Sequence, residues 1–487
     1  MRLKSVLYVL GKILFAAAAI LLLPAVCAII YKESPLPFLL PSFCSLVVGF
    51  VLTLNPKKHD RSLFAKDGFI CVGFAWILMS TVGALPFLLS GETSSFASAF
   101  FESVSGFTTT GSSIFSNVEA LPKSILLWRS LTQWVGGMGV LVFLLAVMPK
   151  SDNKQSRYMH LMRAEVPGPS VDKLVPKLAE TARVMYGLYF ALTLAQIVML
   201  TLGDMNLFEA VNHSLATAST GGFGVKNNSI ASYSAYSQYV IAVVMIIFGT
   251  NFNLFYLLVI GQFVKVFKNE ELKWYLSIFA VATAFVAGNI FLRLYSENGF
   301  EFSFRHAFFQ VASIMTTSGF SSIDFNVWPS LSHLLLVLLM FCGGCAGSTA
   351  GGIKVSRIML LVKNGKREIK YISQPKAIIS VKMNGKAVDN EIIRGATSFI
   401  IMYGTLFVLS AFLITAIDGV DPITGFTSVA TSINNVGPGL GQVGPAENFG
   451  FYSGWSKLIL CFNMLAGRLE LFPILILFSP TAYKKHA

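Results

Sequence analysis

Apolar runs long enough to cross a lipid bilayer recur along the whole chain of 487 residues. A helix spans the hydrocarbon core with about 20 apolar residues. Only 13% of the residues are charged, whereas a soluble domain carries roughly 25%. The runs therefore predict an all-α integral membrane protein. The predicted spans are ten: 5–31, 37–54, 69–90, 125–148, 184–203, 237–264, 275–294, 333–361, 395–417 and 455–480.

Lysine and arginine are concentrated in alternate connecting segments, as is typical of the cytoplasmic side of a membrane. Because the number of spans is even, both termini are predicted to be cytoplasmic. The net charge of +13 is interpreted as an orientation signal, with the lipid bilayer as a partner and no nucleic acid. The opposite segments are acidic, and acidic groups at a pore mouth attract cations. Each of them taken singly, such as Glu102, is expected to be a solvated loop residue.

Four segments between the spans are too short and too polar to cross the membrane, and they resemble one another. The first and the third run from Ala-Phe-Phe to a glycine behind hydroxyl residues. All four have the same length: 99–111, 210–222, 307–319 and 425–437. They predict four pseudo-repeated units of helix, re-entrant pore helix and helix around one central pore, after a two-helix leader. The predicted boundaries are 1–60 for the leader and 61–160, 161–268, 269–375 and 376–487 for the repeats.

Polar turns at membrane depth indicate a chemical role. Non-helical backbone is tolerated there only where it lines water or is buried in protein. A short helix that ends at a glycine turn leaves carbonyl groups free to point inward, and four such turns around one axis can replace the hydration shell of a cation. The helix C-termini add partial negative charge toward that axis. The segments therefore predict cation conduction; the alternative is that they are loops that merely join helices.

A run of small residues interrupts the predicted inner helix of the third repeat. It disfavours continuous helix and can form a loop facing a cavity; the alternative is a helix-packing motif of small residues. Glycines at comparable depth in other inner helices, Gly136, Gly249 and Gly467, indicate a shared bend. The run comprises Gly343, Gly344, Cys345, Ala346, Gly347, Ser348, Thr349, Ala350, Gly351 and Gly352.

Arg468 lies inside the last apolar span, and Glu470 follows two residues later. A charge within the membrane is costly and is by default functional. Residues two apart on a helix do not face each other, so a direct pair between these two is not expected. Arg468 is predicted to face the pore axis as a barrier to cations, or to cap carbonyl groups of the small-residue run. The two roles are compatible.

The four segments, together with the motif Met-Leu-Ala-Gly-Arg-Leu-Glu-Leu-Phe-Pro at 464–473, resemble the TrkH/KtrB/HKT superfamily of potassium transporters over essentially the whole chain. The resemblance implies potassium uptake through a gated, channel-like pore that prefers potassium and rubidium to sodium. It implies a bacterial inner-membrane protein that forms a homodimer and binds a cytoplasmic nucleotide-binding regulatory subunit, TrkA. Potassium is then the transported ion, and no organic cofactor is expected on this chain.

The resemblance also implies roles for residues. One glycine per repeat carries the selectivity filter in this superfamily, and in the second repeat the shared length favours Gly222 over Gly221. Residues 343–352 become an intramembrane gating loop below the filter. Because only one glycine per repeat is constant, a preference for potassium is expected rather than strict exclusion of sodium. The candidate potassium ligands are Thr110, Gly111, Thr220, Gly221, Gly222, Thr317, Ser318, Gly319, Asn435, Val436 and Gly437.

Two rival functions follow from the same residues. A secondary transporter that couples potassium uptake to protons or sodium would have broken helices and titratable groups at the midplane; Arg468 with Glu470 is the only obvious mid-span pair in the sequence. A membrane enzyme would need a catalytic constellation. The sequence contains no His-Glu-x-x-His motif, no nucleophile elbow and no paired carboxylates within one span. The chain is therefore predicted not to be an enzyme.

Overall fold

The computed structural model describes residues 3–54, 65–139, 178–377 and 379–483, and these are mostly helical. Six of their helices are long and apolar enough to cross a membrane, and a bent pair of helices can supply a seventh span. The chain is therefore a multi-pass, all-α membrane protein, as the apolar runs predict. The predicted cytoplasmic segment between the first and second repeats lies mostly outside the described residues.

Two helices at the N-terminus form the leader: α1 (Leu3–Ile30) and α2 (Leu36–Thr53). They approach each other closely at Gly11 and Gly49. A Cβ added to Gly11 would lie 2.9 Å from the carbonyl oxygen of Gly49, and the reverse distance is 3.0 Å. Small residues allow such backbone contact between membrane helices. The far face of α2 is apolar and open, with Phe43 67% exposed, which suits contact with lipid.

Each following unit contains an outer helix, a short pore helix and an inner helix. The pore helices are 12, 12, 16 and 13 residues long, which is too short to cross a bilayer. The helices of the first two units are α3 (Ala65–Leu89), α4 (Phe96–Phe107), α5 (Lys123–Gly137), α6 (Leu178–Thr201), α7 (Leu207–Ala218), α8 (Ala235–Phe248), α9 (Phe252–Val259) and α10 (Phe263–Lys268).

The third and fourth units follow the same order. Their helices are α11 (Glu270–Arg293), α12 (Phe300–Met315), α13 (Ser330–Phe341), α14 (Val355–Ser373), α15 (Asn390–Asp418), α16 (Pro422–Asn434), α17 (Gly454–Arg468), α18 (Phe472–Leu475) and α19 (Pro480–Tyr483). Short 3-10 helices lie at Phe325–Val327, Gly441–Val443 and Ile476–Phe478. A small antiparallel hairpin pairs β1 (Lys382–Met383) with β2 (Lys386–Ala387).

Three of the ten predicted spans are not continuous helices, and their breaks lie near Gly249, at the small-residue run and near Gly467, where the sequence indicates a bend or an interruption. The span at 237–264 bends by 93° between α8 and α9. The span at 333–361 is interrupted between α13 and α14, and the span at 455–480 turns after α17. Hydropathy over the whole span does not mark these breaks, but the glycines do. The span at 125–148 is helical as far as Gly137, and its residues from 140 onward lie outside the described part.

Glycines of the inner helices allow these helices to lie against the pore helices. A Cβ added to Gly136 would lie 1.8 Å from the carbonyl oxygen of Phe107, and one added to Gly467 would lie 2.0 Å from that of Ile433. Both carbonyls belong to the last turn of a pore helix. Backbone contact of this kind is open only to glycine. The inner helices thus hold the ends of the pore helices, where the candidate site lies.

Candidate ion-conducting site

The C-terminus of every pore helix ends in the same backbone motif. In the first unit the N–H of Thr110 donates to the carbonyl oxygen of Ser105 at 2.9 Å, and the N–H of Thr109 donates to that of Gly106 at 2.9 Å. These two bonds define a Schellman motif, whose left-handed position is usually glycine. Here that position carries a side chain in all four units: φ is 57° at Thr109, 54° at Thr220, 57° at Thr317 and 56° at Asn435.

A left-handed residue with a side chain is uncommon, and the strain persists only where the surrounding structure requires it. The recurrence of this strain at four equivalent positions indicates a shared requirement. The sequence-based candidates include Thr220, Thr317 and Asn435 but omit Thr109, the equivalent residue of the first unit. Counting back two residues from Gly111 would have found it.

A glycine with positive φ follows each left-handed residue by two positions. The values are 85° at Gly111, 77° at Gly222, 79° at Gly319 and 104° at Gly437. Of the two glycines in the second unit, Gly222 has this conformation. Gly221 instead occupies the position of Thr110, Ser318 and Val436 in the other units.

The four glycines form a closed ring in which each one touches the next unit. The carbonyl oxygen that a Cβ would meet belongs to the residue just before the neighbouring glycine. The distances from the added Cβ to this carbonyl oxygen are 2.3 Å for Gly111 and Gly221, 1.9 Å for Gly222 and Ser318, 2.3 Å for Gly319 and Val436, and 2.8 Å for Gly437 and Thr110. The fourth contact returns to the first unit. The units therefore follow one another around a single axis in chain order, and the ring excludes side chains at all four glycines.

Side chains three residues before each glycine reinforce the pore-helix ends. The Thr108 hydroxyl donates to the carbonyl oxygen of Val104 at 2.7 Å, and the equivalent bonds start from Ser219, Thr316 and Asn434. All four residues are fully buried. Sequence reasoning missed this position, although a hydroxyl or amide residue three places before each glycine is visible in the sequence.

A cavity of about 130 Å³ opens on one side of the ring. All four ring glycines line it, as do the polar segments that follow them. Side chains of both charges contribute to its wall, including Lys226, Glu447 and Arg129. The four segments predicted to converge on one axis are therefore brought together at this cavity.

Glu102 is not a solvated loop residue, so that expectation from the sequence is wrong. It is fully buried, and its Oε1 accepts a hydrogen bond from Nε of Arg129 at 2.8 Å. The guanidinium group of Arg129 lies 4.1 Å from the ring of Phe223, and its Nη1 donates to the carbonyl oxygen of Gly224 at 3.2 Å. A buried carboxylate is retained because it is paired and hydrogen-bonded. The pair braces the turns of the first two units.

The small-residue run lies on the opposite side of the ring. No residue of 343–352 is helical, so the helix-packing alternative fails. The N–H of Gly351 donates to the hydroxyl of Thr317 at 2.6 Å. A Cβ added to Gly351 would lie 2.5 Å from the carbonyl oxygen of Asn434. The loop therefore lies directly against the third and fourth turns of the ring.

Two neighbouring elements hold the other end of this loop. The carboxylate Oε1 of Glu271 accepts hydrogen bonds from the N–H of Ala346 at 2.7 Å and from that of Ser356 at 3.2 Å. At the bend between α8 and α9, the carbonyl oxygen of Gly249 accepts from the N–H of Cys345 at 2.9 Å. The bend and the loop are thus parts of one hydrogen-bonded unit. Glu271 was not among the sequence-based candidates, because its position at the start of α11 looks like an ordinary helix-start acid.

Arg468 joins three units beneath the ring. Its Nη1 donates to the carbonyl oxygen of Thr349 at 2.7 Å, and its Nη2 donates to those of Gly136 at 2.7 Å and Gly137 at 2.5 Å. The carboxylate of Glu470 forms an ion pair with Arg357. The capping contacts predicted for Arg468 are therefore present.

Four pore-helix turns closed into one ring, with broken inner helices beneath it, define a class of polytopic membrane proteins built from four pore-loop units in one chain. The chain belongs to the TrkH family of cation transport proteins, since the sequence model of that family matches residues 37–485.

Individual relatives are similar over their full lengths. The Trk system potassium uptake protein TrkH of Escherichia coli (strain K12) is 36% identical over 491 residues, with 100% of both chains covered. The Trk system potassium uptake protein TrkG of the same organism is 35% identical over 484 residues, with 98% of both covered. The crystal structure of the potassium transporter TrkH from Vibrio parahaemolyticus matches with a TM-score of 0.88 and 33% identity, covering 99% of this chain and 100% of that one.

Proposed function

We propose that this chain takes up potassium through a gated, channel-like pore that prefers potassium and rubidium to sodium. The observation that carries the proposal is the closed ring, in which each glycine turn places its backbone against a carbonyl group of the next unit. A ring of carbonyl oxygens can replace the hydration shell of potassium. The names of the relatives, potassium uptake proteins and a potassium transporter, support the same ion.

The ion ligands are backbone carbonyl groups of the four turns rather than hydroxyl groups. The Thr110 hydroxyl lies 2.8 Å from that of Thr108, and the Ser318 hydroxyl lies 2.8 Å from that of Thr316. These side chains are therefore engaged within the protein. The carbonyl groups of the residues at and just before each ring glycine are the ligands in this proposal; two of them, those of Gly221 and Gly437, also accept a hydrogen bond from a side chain. The sequence-based set of eleven also contains Thr220, Thr317 and Asn435, which lie two residues before their glycines.

The loop at 343–352 is the gate in this proposal. It lies against the ring through Gly351, so a cation leaving the ring meets it next. Arg468 holds the loop through the carbonyl oxygen of Thr349 and places a positive charge beneath the ring. Opening then requires that this contact be released.

The remaining assignments extend the proposal to the whole protein. The leader and the four repeats have the boundaries given above, and both termini face the cytoplasm of a bacterial inner membrane. The relatives are named as members of a Trk system, which supports a multi-component assembly. We assign a homodimer and the nucleotide-binding regulatory subunit TrkA as partners, with TrkA on the cytoplasmic side where α14 and its basic residues emerge.

A secondary transporter coupled to protons or sodium is the competing function. One observation favours it: the carboxylate of Glu271 is buried, 6% exposed, and bonded directly to the loop. A buried carboxylate beside a moving element is a means of linking proton binding to transport. Transport that depends on a proton gradient would identify this mechanism.

Rubidium uptake into liposomes that contain the purified chain tests the proposal. Uptake is measured against competing potassium or sodium, with and without a proton gradient, in wild type, Gly111→Ser and Arg468→Ala. We expect uptake that potassium blocks better than sodium, that ignores the proton gradient, that is less selective in Gly111→Ser and that is faster in Arg468→Ala. Rubidium uptake that depends on the proton gradient would refute the channel and support the coupled transporter.

A matched control separates the ring from the strain of positive φ. Gly91 has φ of 82°, close to the 85° of Gly111, but a Cβ there would meet no atom within 4 Å. Gly91→Ser should therefore leave selectivity unchanged. Unchanged selectivity in Gly111→Ser as well would overturn the assignment of the filter.

A further inference from the structure

The second unit of the ring differs from the others at one position. Thr110, Ser318 and Val436 precede the ring glycines of three units, whereas Gly221 precedes Gly222 in the second. Gly221 is absent from the residues with positive φ in the described chain. Its backbone conformation is therefore open to any residue, and another cause must explain the missing side chain.

The side chain of Gln133 fills the space. A Cβ added to Gly221 would lie 2.5 Å from Cδ, 2.7 Å from Oε1 and 2.8 Å from Nε2 of Gln133, and these are the three nearest atoms. Gln133 is fully buried on α5, the inner helix of the first unit. A residue of one unit thus occupies the place of a filter side chain in the next.

Both polar atoms of the Gln133 amide are engaged by the second turn. Oε1 accepts a hydrogen bond from the N–H of Phe223 at 3.1 Å, and Nε2 donates to the carbonyl oxygen of Gly221. A backbone N–H can only donate and a carbonyl can only accept. The two partners therefore fix which end of the amide faces which group, and they bracket the ring glycine Gly222 between them.

The carbonyl group that Gln133 holds is itself a member of the ring. It is the oxygen that Gly111 packs against, with 2.3 Å between it and an added Cβ. In the described part of the chain, no side chain donates to the equivalent carbonyl oxygens of Thr110, Ser318 or Val436. Of the four carbonyl groups just before the ring glycines, one is thus restrained by a side-chain donor. Among the ring glycines themselves, Gly437 has its carbonyl oxygen bonded to the Ser112 hydroxyl at 3.0 Å.

Arg129 supports the same turn from one helical turn away. Residues four apart lie on one face of a helix, and Arg129 holds the carbonyl oxygen of Gly224 and stacks on Phe223. The segment after the second pore helix is therefore clamped by α5 at three backbone groups.

From these contacts we infer that Gln133 is a positioning residue that determines cation selectivity by fixing the carbonyl group of Gly221. The inference rests on the proposed filter. A restrained carbonyl group keeps the ring at the width set by the protein, whereas a free one can move inward toward a smaller ion. Loss of the amide should therefore favour sodium relative to potassium. The Gln133 side chain touches the backbone of the turn and not the ion path. Its loss should therefore change the selectivity between sodium and potassium.

The test uses the ratio of sodium to potassium concentrations that halve rubidium uptake in liposomes. We expect Gln133→Ala to lower this ratio by roughly two- to tenfold, the range that one neutral hydrogen bond allows. The matched control is Gln238→Ala. Gln238 is also buried on an inner helix and bonds to Ile230, Tyr233 and Arg305, none of which belongs to the ring. Its truncation should leave the ratio unchanged.

A compensating pair makes the test specific. In Gly221→Ser alone, the new side chain clashes with that of Gln133, so both uptake and selectivity should fall. In the double variant Q133A/G221S the obstacle is gone, and the new hydroxyl has the place that Ser318 has in the third unit. We expect the double variant to be more selective than either single variant. If the loss of selectivity in the double variant equals the sum of the losses in the two single variants, the inference is overturned.

The outcomes also separate this inference from the filter itself. If Gly111→Ser changes the ratio and Gln133→Ala does not, the filter stands and the role of Gln133 is refuted. If neither changes it, the filter assignment has failed first. Should Gln133→Ala fail to accumulate as folded protein, Gly221→Ser and the double variant decide: improved uptake and selectivity in the double variant support the inference, and no improvement refutes it.

Discussion

Nη1 of Arg468 donates to the carbonyl oxygen of Thr349 at 2.7 Å, so a residue of the fourth unit holds the loop of the third. The same guanidinium group reaches Gly136 and Gly137 of the first unit. One side chain therefore ties three units together at the point where the proposed gate must move. This arrangement explains why a costly intramembrane charge is kept in an apolar span.

Arg468 variants separate its charge from its hydrogen bonds. We expect Arg468→Ala to raise rubidium uptake by roughly tenfold or more, because hydrogen bonds of a charged group contribute about 1.5–3 kcal/mol each. Arg468→Lys keeps the charge but loses the fork of donors. If uptake in Arg468→Lys is close to that of wild type, Arg468 acts as an electrostatic barrier. If it is close to that of Arg468→Ala, the hydrogen bonds that cap the carbonyl groups are what matters. Slow uptake in Arg468→Ala would contradict both roles.

The ring glycines should differ in how poorly they accept a side chain. A Cβ added to Gly222 would lie 1.9 Å from the carbonyl oxygen of Ser318, and one added to Gly437 would lie 2.8 Å from that of Thr110. Gly222→Ala is therefore expected to lose more uptake and folded yield than Gly437→Ala. Gly299→Ala is the control, since φ there is 87° and the surrounding space is open. Equal losses in all three variants would show that φ, and not the ring, is responsible.

The buried pair of Glu102 and Arg129 should be costly to break from one side. Removing one partner of a buried ion pair costs about 3–5 kcal/mol, because the other charge is left unpaired. We expect Glu102→Leu to lower the midpoint of thermal unfolding in detergent markedly. The double variant Glu102→Leu/Arg129→Met should recover part of the loss. A double variant no more stable than Glu102→Leu would argue against unpaired charge as the cause.

Asp204 gives a dependence of stability on pH. Its carboxylate lies in the connection between α6 and α7 and accepts hydrogen bonds from Ser234 and Ser237. Burial by itself raises the pKa of this group, but the hydrogen bonds outweigh burial and the pKa is lowered. A group with a lowered folded pKa adds stability above its unfolded pKa, and that stability is lost as the pH falls through the folded pKa.

We therefore expect Asp204→Asn to lower the unfolding midpoint by about 1–3 °C at neutral pH. The difference from wild type should shrink as the pH falls toward and below the ordinary aspartate pKa of about 3.9. Glu297→Gln, at an exposed carboxylate in the connection between α11 and α12, is the control and should leave the unfolding midpoint close to that of wild type. A difference that stays constant with pH would refute the linkage.

The sequence predicts the large-scale architecture because that architecture depends on local patterns. Runs of apolar residues indicate the spans, and the equal length of the four polar segments places their final glycines at equivalent positions. The glycine-rich run at 343–352 indicates a break because glycine is a poor helix former. These signals are read within a few neighbouring residues.

Contacts between distant residues are what the sequence does not reveal. Glu102 is paired with Arg129, 27 residues away, and Gln133 is bonded to Gly221, 88 residues away. Both glutamate and glutamine look like ordinary residues of their helices. Gly249 indicates the bend between α8 and α9, but the sequence does not predict its angle of 93°.

The closed ring has a consequence for how this protein can change. In a channel of four identical chains, one altered codon changes the conduction path four times over. Here the four quarters of the ring are encoded separately, so a substitution alters one quarter while the other three stay intact. Asn435, where the other units have threonine, and Gly221, where they have a side chain, show that the quarters have already diverged. In the proposed pore, ion preference can therefore be adjusted one quarter of the ring at a time.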